Sequence, residues 1–118
     1  MKDIDDNIYL DFGSGIAVAN IGHRHPKVTA AIIEQAQKCD HVNSCDYFTV
    51  PQVEFAEKLS RVMPWKGSKR FFFGNSGSEA VEGALKAARM FTGKKRFIAT
   101  VGGFHGKSMG SLLSLIHI

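Results

Sequence analysis

The chain has 118 residues, 44% of them hydrophobic and 22% charged, with a net charge of +4, which fits one globular domain or part of one. No apolar run is long enough to span a membrane, and the N-terminus M-K-D-I-D-D-N lacks the apolar stretch of a secretory signal, so a cytoplasmic protein without a membrane partner is expected. The basic residues are scattered, adjacent only at Lys69-Arg70 and Lys94-Lys95-Arg96, which gives no stripe for a nucleic acid.

Ile8 to Phe12, I-Y-L-D-F, alternates as a short strand does, and Gly13-Ser14-Gly15 breaks it. Ile16 to Ile21 is a small apolar connector, and Gly22-His23-Arg24-His25-Pro26 is turn-like. Pro26 suits a first helical position, where its missing N–H is not needed. Val28, Ala31, Ile32, Gln35, Ala36 and Cys39 follow at helical spacing, which predicts a helix over 26–38. Asp40 to Val50 is irregular. Thr49 is placed to cap a second helix, whose stripe of Val53, Ala56, Leu59 and Val62 runs to about Met63 before Pro64 ends it.

Lys69 to Phe73 reads as a strand whose three successive phenylalanines imply burial on both faces, as in a parallel sheet. A third helix follows, with Val81, Ala84, Leu85, Ala88 and Phe91 on one face, a Glu82–Lys86 pair at i,i+4 and Gly93 as its C-terminal stop. Arg96 to Val101 is another apolar strand, and Gly102-Gly103-Phe104-His105-Gly106 a flexible loop. Strand, helix and strand make one βαβ unit, so the fold class is α/β. Cys39 and Cys45 match neither a C-x-x-C nor a zinc spacing and are read as reduced thiols. His23, His25 and His41 lack metal-ligand spacing with a carboxylate or cysteine and are assigned structural roles, so no metal site is expected.

The chemistry concentrates at Gly74-Asn75-Ser76-Gly77-Ser78-Glu79. Ser76 and Glu79 form a capping box, the serine accepting from the Glu79 N–H and the glutamate reaching back to the serine N–H. Capping alone would explain the pattern. An anion cup would explain it equally: Gly77 admits a ligand close to the backbone, and the Gly77 and Ser78 amides lie at the positive end of the helix dipole. Neither the P-loop frame nor the dinucleotide fingerprint is present. Phe104 and His105 follow a strand at its carboxyl end, the edge where open α/β sheets bind ligands. There Phe104 is either core or a stacking surface for an aromatic ligand, and His105 either structural or part of the same site.

Three stretches in this order, Y-L-D-F-G-S-G-I-A-V-A-N-I-G-H-R-H-P (9–26), F-F-G-N-S-G-S-E-A-V-E-G-A-L-K-A-A-R (72–89) with T-G-K (92–94), and G-F-H-G-K-S-M-G (103–110), resemble the class III pyridoxal-phosphate-dependent aminotransferases. The look is that of the acetylornithine, ornithine and 4-aminobutyrate branch. The resemblance implies the N-terminal portion of fold type I, with residues 1–48 as an N-terminal segment and substrate-pocket loop, and 49–112 as the start of the large cofactor-binding domain. It implies that Ser76, Gly77 and Ser78 hold the phosphate of pyridoxal 5'-phosphate, that Phe104 stacks on the pyridine ring with His105 and Gly106 shaping that loop, and that Ile16 lies in the substrate pocket. Ornithine-specific relatives usually carry an aromatic residue at that last position, so by this resemblance Ile16 argues against ornithine and is compatible with acetylornithine, 4-aminobutyrate or another ω-amino acid.

Aminotransfer to a 2-oxo acid such as 2-oxoglutarate, in a homodimer, is the activity implied. A racemase of the same family and a non-enzymatic anion-binding α/β module are the alternatives. The Schiff-base lysine, the carboxylate at the pyridine nitrogen and the substrate arginine lie downstream of these motifs in the family. No catalytic residue is therefore assigned, and the chain is read as an inactive N-terminal fragment. Its last six residues, L-S-L-I-H-I (113–118), depart from the family pattern. They are also what CTG-TCT-CTT-ATA-CAC-ATC encodes, the mosaic end of a transposase used in sequencing libraries, and are expected to be a non-native tail.

Overall fold

The computed structural model describes residues 1–112, and five helical elements lie among them: α1 (Ser14–Ala17), α2 (Pro26–Lys38), α3 (Val50–Val62), α4 (Gly77–Thr92) and α5 (Met109–Leu112). The tail expected at 113–118 lies outside the described residues. The chain divides into two compact units, Met1–Val50 and a second beginning at Pro51.

In the first unit the strand expected at 8–12 does not form. Only Ile8 is bridged, antiparallel to Lys2, because the partner segment is a tight loop. Within that loop the Asp3 carboxylate accepts from the Asp5 and Asn7 amides at 3.0 and 2.9 Å and from the Asn7 side chain at 3.0 Å. Asp11 organises the next turn. One of its oxygens accepts from the Gly13 and Ser14 amides at 3.1 and 2.8 Å, and the other meets His23 Nε2 at 3.1 Å. These bonds, the His23 contact foremost, hold the Asp11 carboxyl below its usual range.

The connector between Asp11 and His23 begins as a left-handed turn. Ser14, Gly15, Ile16 and Ala17 have φ of 44°, 61°, 64° and 60°, and the turn is closed by the Ala17 and Val18 amides donating to Gly13 and Ser14 carbonyls at 3.0 and 2.8 Å. L-residues adopt this hand at a cost of roughly 1–2 kcal/mol each. Helix α2 then starts at Pro26, and ends where the Cys39 amide donates to the Gln35 carbonyl at 2.8 Å. A Glu34–Lys38 pair braces its exposed side.

In the second unit α3 and α4 have the spans that their periodicity predicts, but the strands at 69–73 and 96–101 do not appear; no strand is present among the described residues. A strand exists only through its ladder, and neither segment has a neighbour to pair with. The βαβ unit is therefore represented by its helix. The phenylalanines expected to be buried on both faces are not: Phe72 is 73% exposed and Phe73 36%. They lean on helices instead. Phe73 packs against Phe55 of α3 with ring centroids 5.5 Å apart. Phe72 lies over Gly83 of α4, where a Cβ would stand 3.0 Å from the ring.

On α4, Val81, Leu85 and Ala88 are half-buried as the stripe predicts, whereas Ala84 is exposed and Phe91 is 93% exposed. The apolar face stops one turn before the helix does. At that end Gly93 takes the left-handed φ of 68° and donates to the Arg89 carbonyl. Among the described residues no hydrophobic side chain is fully buried, and the one side chain that is belongs to Ser111, 1% exposed. The tightest packing in the second unit thus lies where the 106–112 segment meets α4.

Candidate functional site

Ser76 has the extended backbone of an N-cap, φ −155° and ψ 161°, and its hydroxyl accepts from the Glu79 amide at 3.2 Å. The reciprocal half of the box differs from the expectation. Glu79 Oε2 accepts from the Asn75 amide at 2.6 Å rather than from Ser76, because the chain folds back at Gly74, where a Cβ would come within 3.1 Å of the Glu79 side chain. The Ala80 amide donates to the Ser76 carbonyl at 3.1 Å. That is the first intrahelical bond, and of the four amides before it that a helix start leaves without an internal acceptor, Ser76 to Glu79, only that of Glu79 is satisfied among the described residues, by the Ser76 hydroxyl. The Gly77 and Ser78 amides have no protein acceptor among the described residues, and the space where a Gly77 side chain would stand is empty.

The loop expected to partner this helix start does meet it. Gly106 is buried, with φ 128°, and a Cβ built there would overlap Ser78 Oγ and come within 2.7 Å of Ser111 Oγ. Ser76-Gly77-Ser78 and the Phe104-His105-Gly106 loop are therefore in contact through Ser78 and Gly106. Phe104 is 64% exposed, and no ring contact involves it among the described residues. His105 curls back on its own turn, its Nε2 lying 3.2 Å from where a Gly103 Cβ would stand. Ile16 belongs to the first unit, in the left-handed turn, and is 95% exposed.

The sequence reading missed Glu82. It does not form an ion pair with Lys86. One oxygen, Oε1, accepts from Ser108 Oγ at 2.6 Å, from the Gly110 amide at 2.6 Å and from the Ser111 amide at 3.2 Å. Ser108 in turn accepts from the Leu112 amide through its carbonyl at 2.7 Å, and donates from its own amide to Ser111 Oγ at 3.0 Å. The Glu82 carboxyl is lowered below its usual range, first by the Ser108 hydroxyl, then by the Gly110 amide, against a smaller opposing effect of burial, with Lys86 the weakest contributor. The available signals were the position of Glu82 at the border of the half-buried stripe and the pair Ser108-x-x-Ser111, a helix-start pattern.

The site fits a phosphate by its donor set. Two unsatisfied amides point from a helix N-terminus, the Ser78 hydroxyl stands beside them, open space lies over Gly77, and the nearby Glu79 carboxylate is turned to Asn75. The other end of α4 does not compete. Its shallow depression is lined by Arg89, Gly93, Lys94 and Lys95, but the Arg89 guanidinium donates to the Lys95 carbonyl at 3.1 Å and lies 5.5 Å over the Phe97 ring. A helix C-terminus also repels anions.

The chain is similar to known proteins along nearly its whole length. The aminotransferase class-III family profile matches residues 1–115. An acetylornithine aminotransferase of Archaeoglobus fulgidus is 48% identical over 110 residues, 93% of this chain and 28% of that protein. A 5-aminovalerate aminotransferase of Pseudomonas putida is 43% identical over 93% of the chain and 26% of its own length. An isoleucine 2-epimerase of Lentilactobacillus buchneri is 39% identical over 94% of the chain and 25% of its own length. The chain thus spans between a quarter and three-tenths of the length of these curated relatives. Enzymes of the class use pyridoxal phosphate, and the family implies fold type I. With residues 1–115 of its 118 matched by the family profile, the chain belongs to the class-III aminotransferase family.

Proposed function

We propose that this chain is the phosphate-binding N-terminal part of a cytoplasmic, homodimeric aminotransferase that moves an amino group from an ω-amino acid, acetylornithine- or 4-aminobutyrate-like, to a 2-oxo acid such as 2-oxoglutarate. The observation that carries the reading is the contact of Ser78 with Gly106, beside two free amides and the open space over Gly77. In this reading the Gly77 and Ser78 amides and the Ser78 hydroxyl hold the cofactor phosphate, and Ser76 keeps the helix start in shape. Phe104, exposed on the adjoining loop, covers the pyridine ring, His105 supports that loop, and Ile16 faces the substrate. Residues 1–48 and 49–112 serve as the pocket-forming segment and the start of the cofactor domain. Pyridoxal phosphate, when bound, supplies an electron sink for the substrate amine. This chain's part is to fix its phosphate.

Titrating inorganic phosphate and then pyridoxal phosphate into the isotope-labelled chain tests the cup. The Gly77 and Ser78 amide resonances are expected to move together, and movement confined to Lys94–Arg96 would refute it. The epimerase relative supports a second reading, amino-acid epimerisation with the same cofactor. A protein that contains this chain and has its relatives' full length separates the two. Aminotransfer requires added 2-oxo acid, whereas epimerisation of an amino acid proceeds without it.

A further inference from the structure

Two residues of the 106–112 segment, Gly106 and Ser111, are the buried positions among the described residues of the second unit, and both are held by α4. Gly106 rests on Ser78, and the Ser111 amide donates to Glu82. Ser78 and Glu82 are four residues apart, so they share one face of the helix with their Cβ atoms about 5–6 Å apart. One helix face thus grips the same segment at two points. The first is a van der Waals seat with no room for a side chain. The second is a single carboxylate oxygen taking a hydroxyl and two amides.

We infer that Glu82 is a positioning residue, whose carboxylate clasps the 106–112 segment to α4 and thereby seats Gly106 against Ser78, setting the distance between the two loops that line the phosphate cup. The role of that cup rests on the function proposed above; the clasp does not. A glutamate one turn from an anion site is unfavourable by charge alone, since like charges repel. Its position is understandable if its geometric effect outweighs that repulsion, and the three donors at Oε1 disperse part of the charge. The lowered carboxyl agrees with a group held as the anion. Among the described residues the charged group that acts on Glu82 is Lys86, one turn along α4, and the donors that face it from the clasped segment are a hydroxyl and two amides.

The test uses the isotope-labelled chain, as wild type and as Glu82→Gln, with inorganic phosphate as the probe. In wild type, acidification is expected to move the Gly110, Ser111, Gly106 and Ser78 amide resonances with one shared midpoint below the ordinary glutamate range. That shared component is absent from the variant, which removes any contribution of Glu79. In the variant the Gly110 and Ser111 amides exchange on the order of tenfold faster, the scale of losing hydrogen bonds to a charged acceptor, and phosphate binds more weakly.

A role confined to charge gives the opposite sign, because removing the anion would tighten phosphate binding, and that result overturns the inference. So does a wild type in which Gly110 and Ser111 titrate while Ser78 and Gly106 stay still, a result that is readable even if the variant fails to fold. Wild-type chain that shows the shared titration but no response to phosphate refutes the cofactor reading and leaves the clasp standing.

Discussion

Replacing Gly106 by alanine should open the contact on which the cup depends. The backbone there has φ 128°, a region that only glycine enters freely, and a side chain held in such a conformation costs of order 1–3 kcal/mol. The added Cβ would also stand 2.7 Å from Ser111 Oγ and 2.8 Å from Ser78 Cβ. Neither neighbour is the far end of a flexible chain, and Ser111 is only 1% exposed, so relief requires the segment to move. Overpacking of this kind adds roughly 1–3 kcal/mol. The two together are about 2–6 kcal/mol, and even the lower figure shifts a local equilibrium about 30-fold. The cost cannot exceed what holds the segment down, so the segment is expected to detach while α4 keeps its cap. Amide exchange resolves this residue by residue. Gly110, Ser111 and Leu112 should lose their protection in Gly106→Ala, and Val81 to Ala88 should keep theirs. A variant in which the 110–112 amides exchange at the wild-type rate would refute the reasoning.

Gly77→Ala is the matched control, because a Cβ there meets nothing. Helix content by circular dichroism should hold or rise slightly, since alanine exceeds glycine in helix propensity by about 1 kcal/mol, while phosphate affinity falls about tenfold if the anion lies against that backbone. Ser76→Ala removes the hydroxyl that accepts from Glu79 and should destabilise α4 by about 1 kcal/mol, read as lost helical signal in a thermal scan, with Ser76→Asp close to wild type. Acid should loosen the first unit in a defined window. Asp11 is lowered from 3.8, chiefly by His23, so its contribution is present above that value and is lost as pH falls through the lower folded one. Protection of the Gly13 and Ser14 amides, taken relative to the intrinsic exchange rate at each pH, should therefore hold down to about pH 4 and fall below it, and Asp11→Asn should abolish that dependence.

The elements legible in the sequence were those written in short-range signals. Pro26 at a first turn, Ser76 three residues before Glu79, and Gly93 after Thr92 each act over a few residues, and α2, α3 and α4 have the predicted spans to within a residue or so. Segments 69–73 and 96–101 carry strand composition but no strand, because the property that makes a strand belongs to its neighbours. The same distinction divides the site. The cap at Ser76 was readable, and the meeting of its loop with Gly102–Gly106 followed from the order of motifs. The partners of Glu82 lie 26 to 29 residues away, and the local rule that pairs it with Lys86 pointed the wrong way. At Glu79 the rule was right in kind and one residue off in target, for want of the backward fold at Gly74.

The exposure of nearly all the apolar side chains has a thermodynamic signature. The heat-capacity change and the denaturant slope of an unfolding transition both scale with the surface newly uncovered. Among the described residues no hydrophobic side chain is fully sequestered, so there is little to uncover. Heating this chain should give a shallow, weakly endothermic decay in place of a sharp calorimetric peak. Helices α2, α3 and α4 should fade on separate curves, each with its own midpoint, so no single melting temperature would describe the molecule.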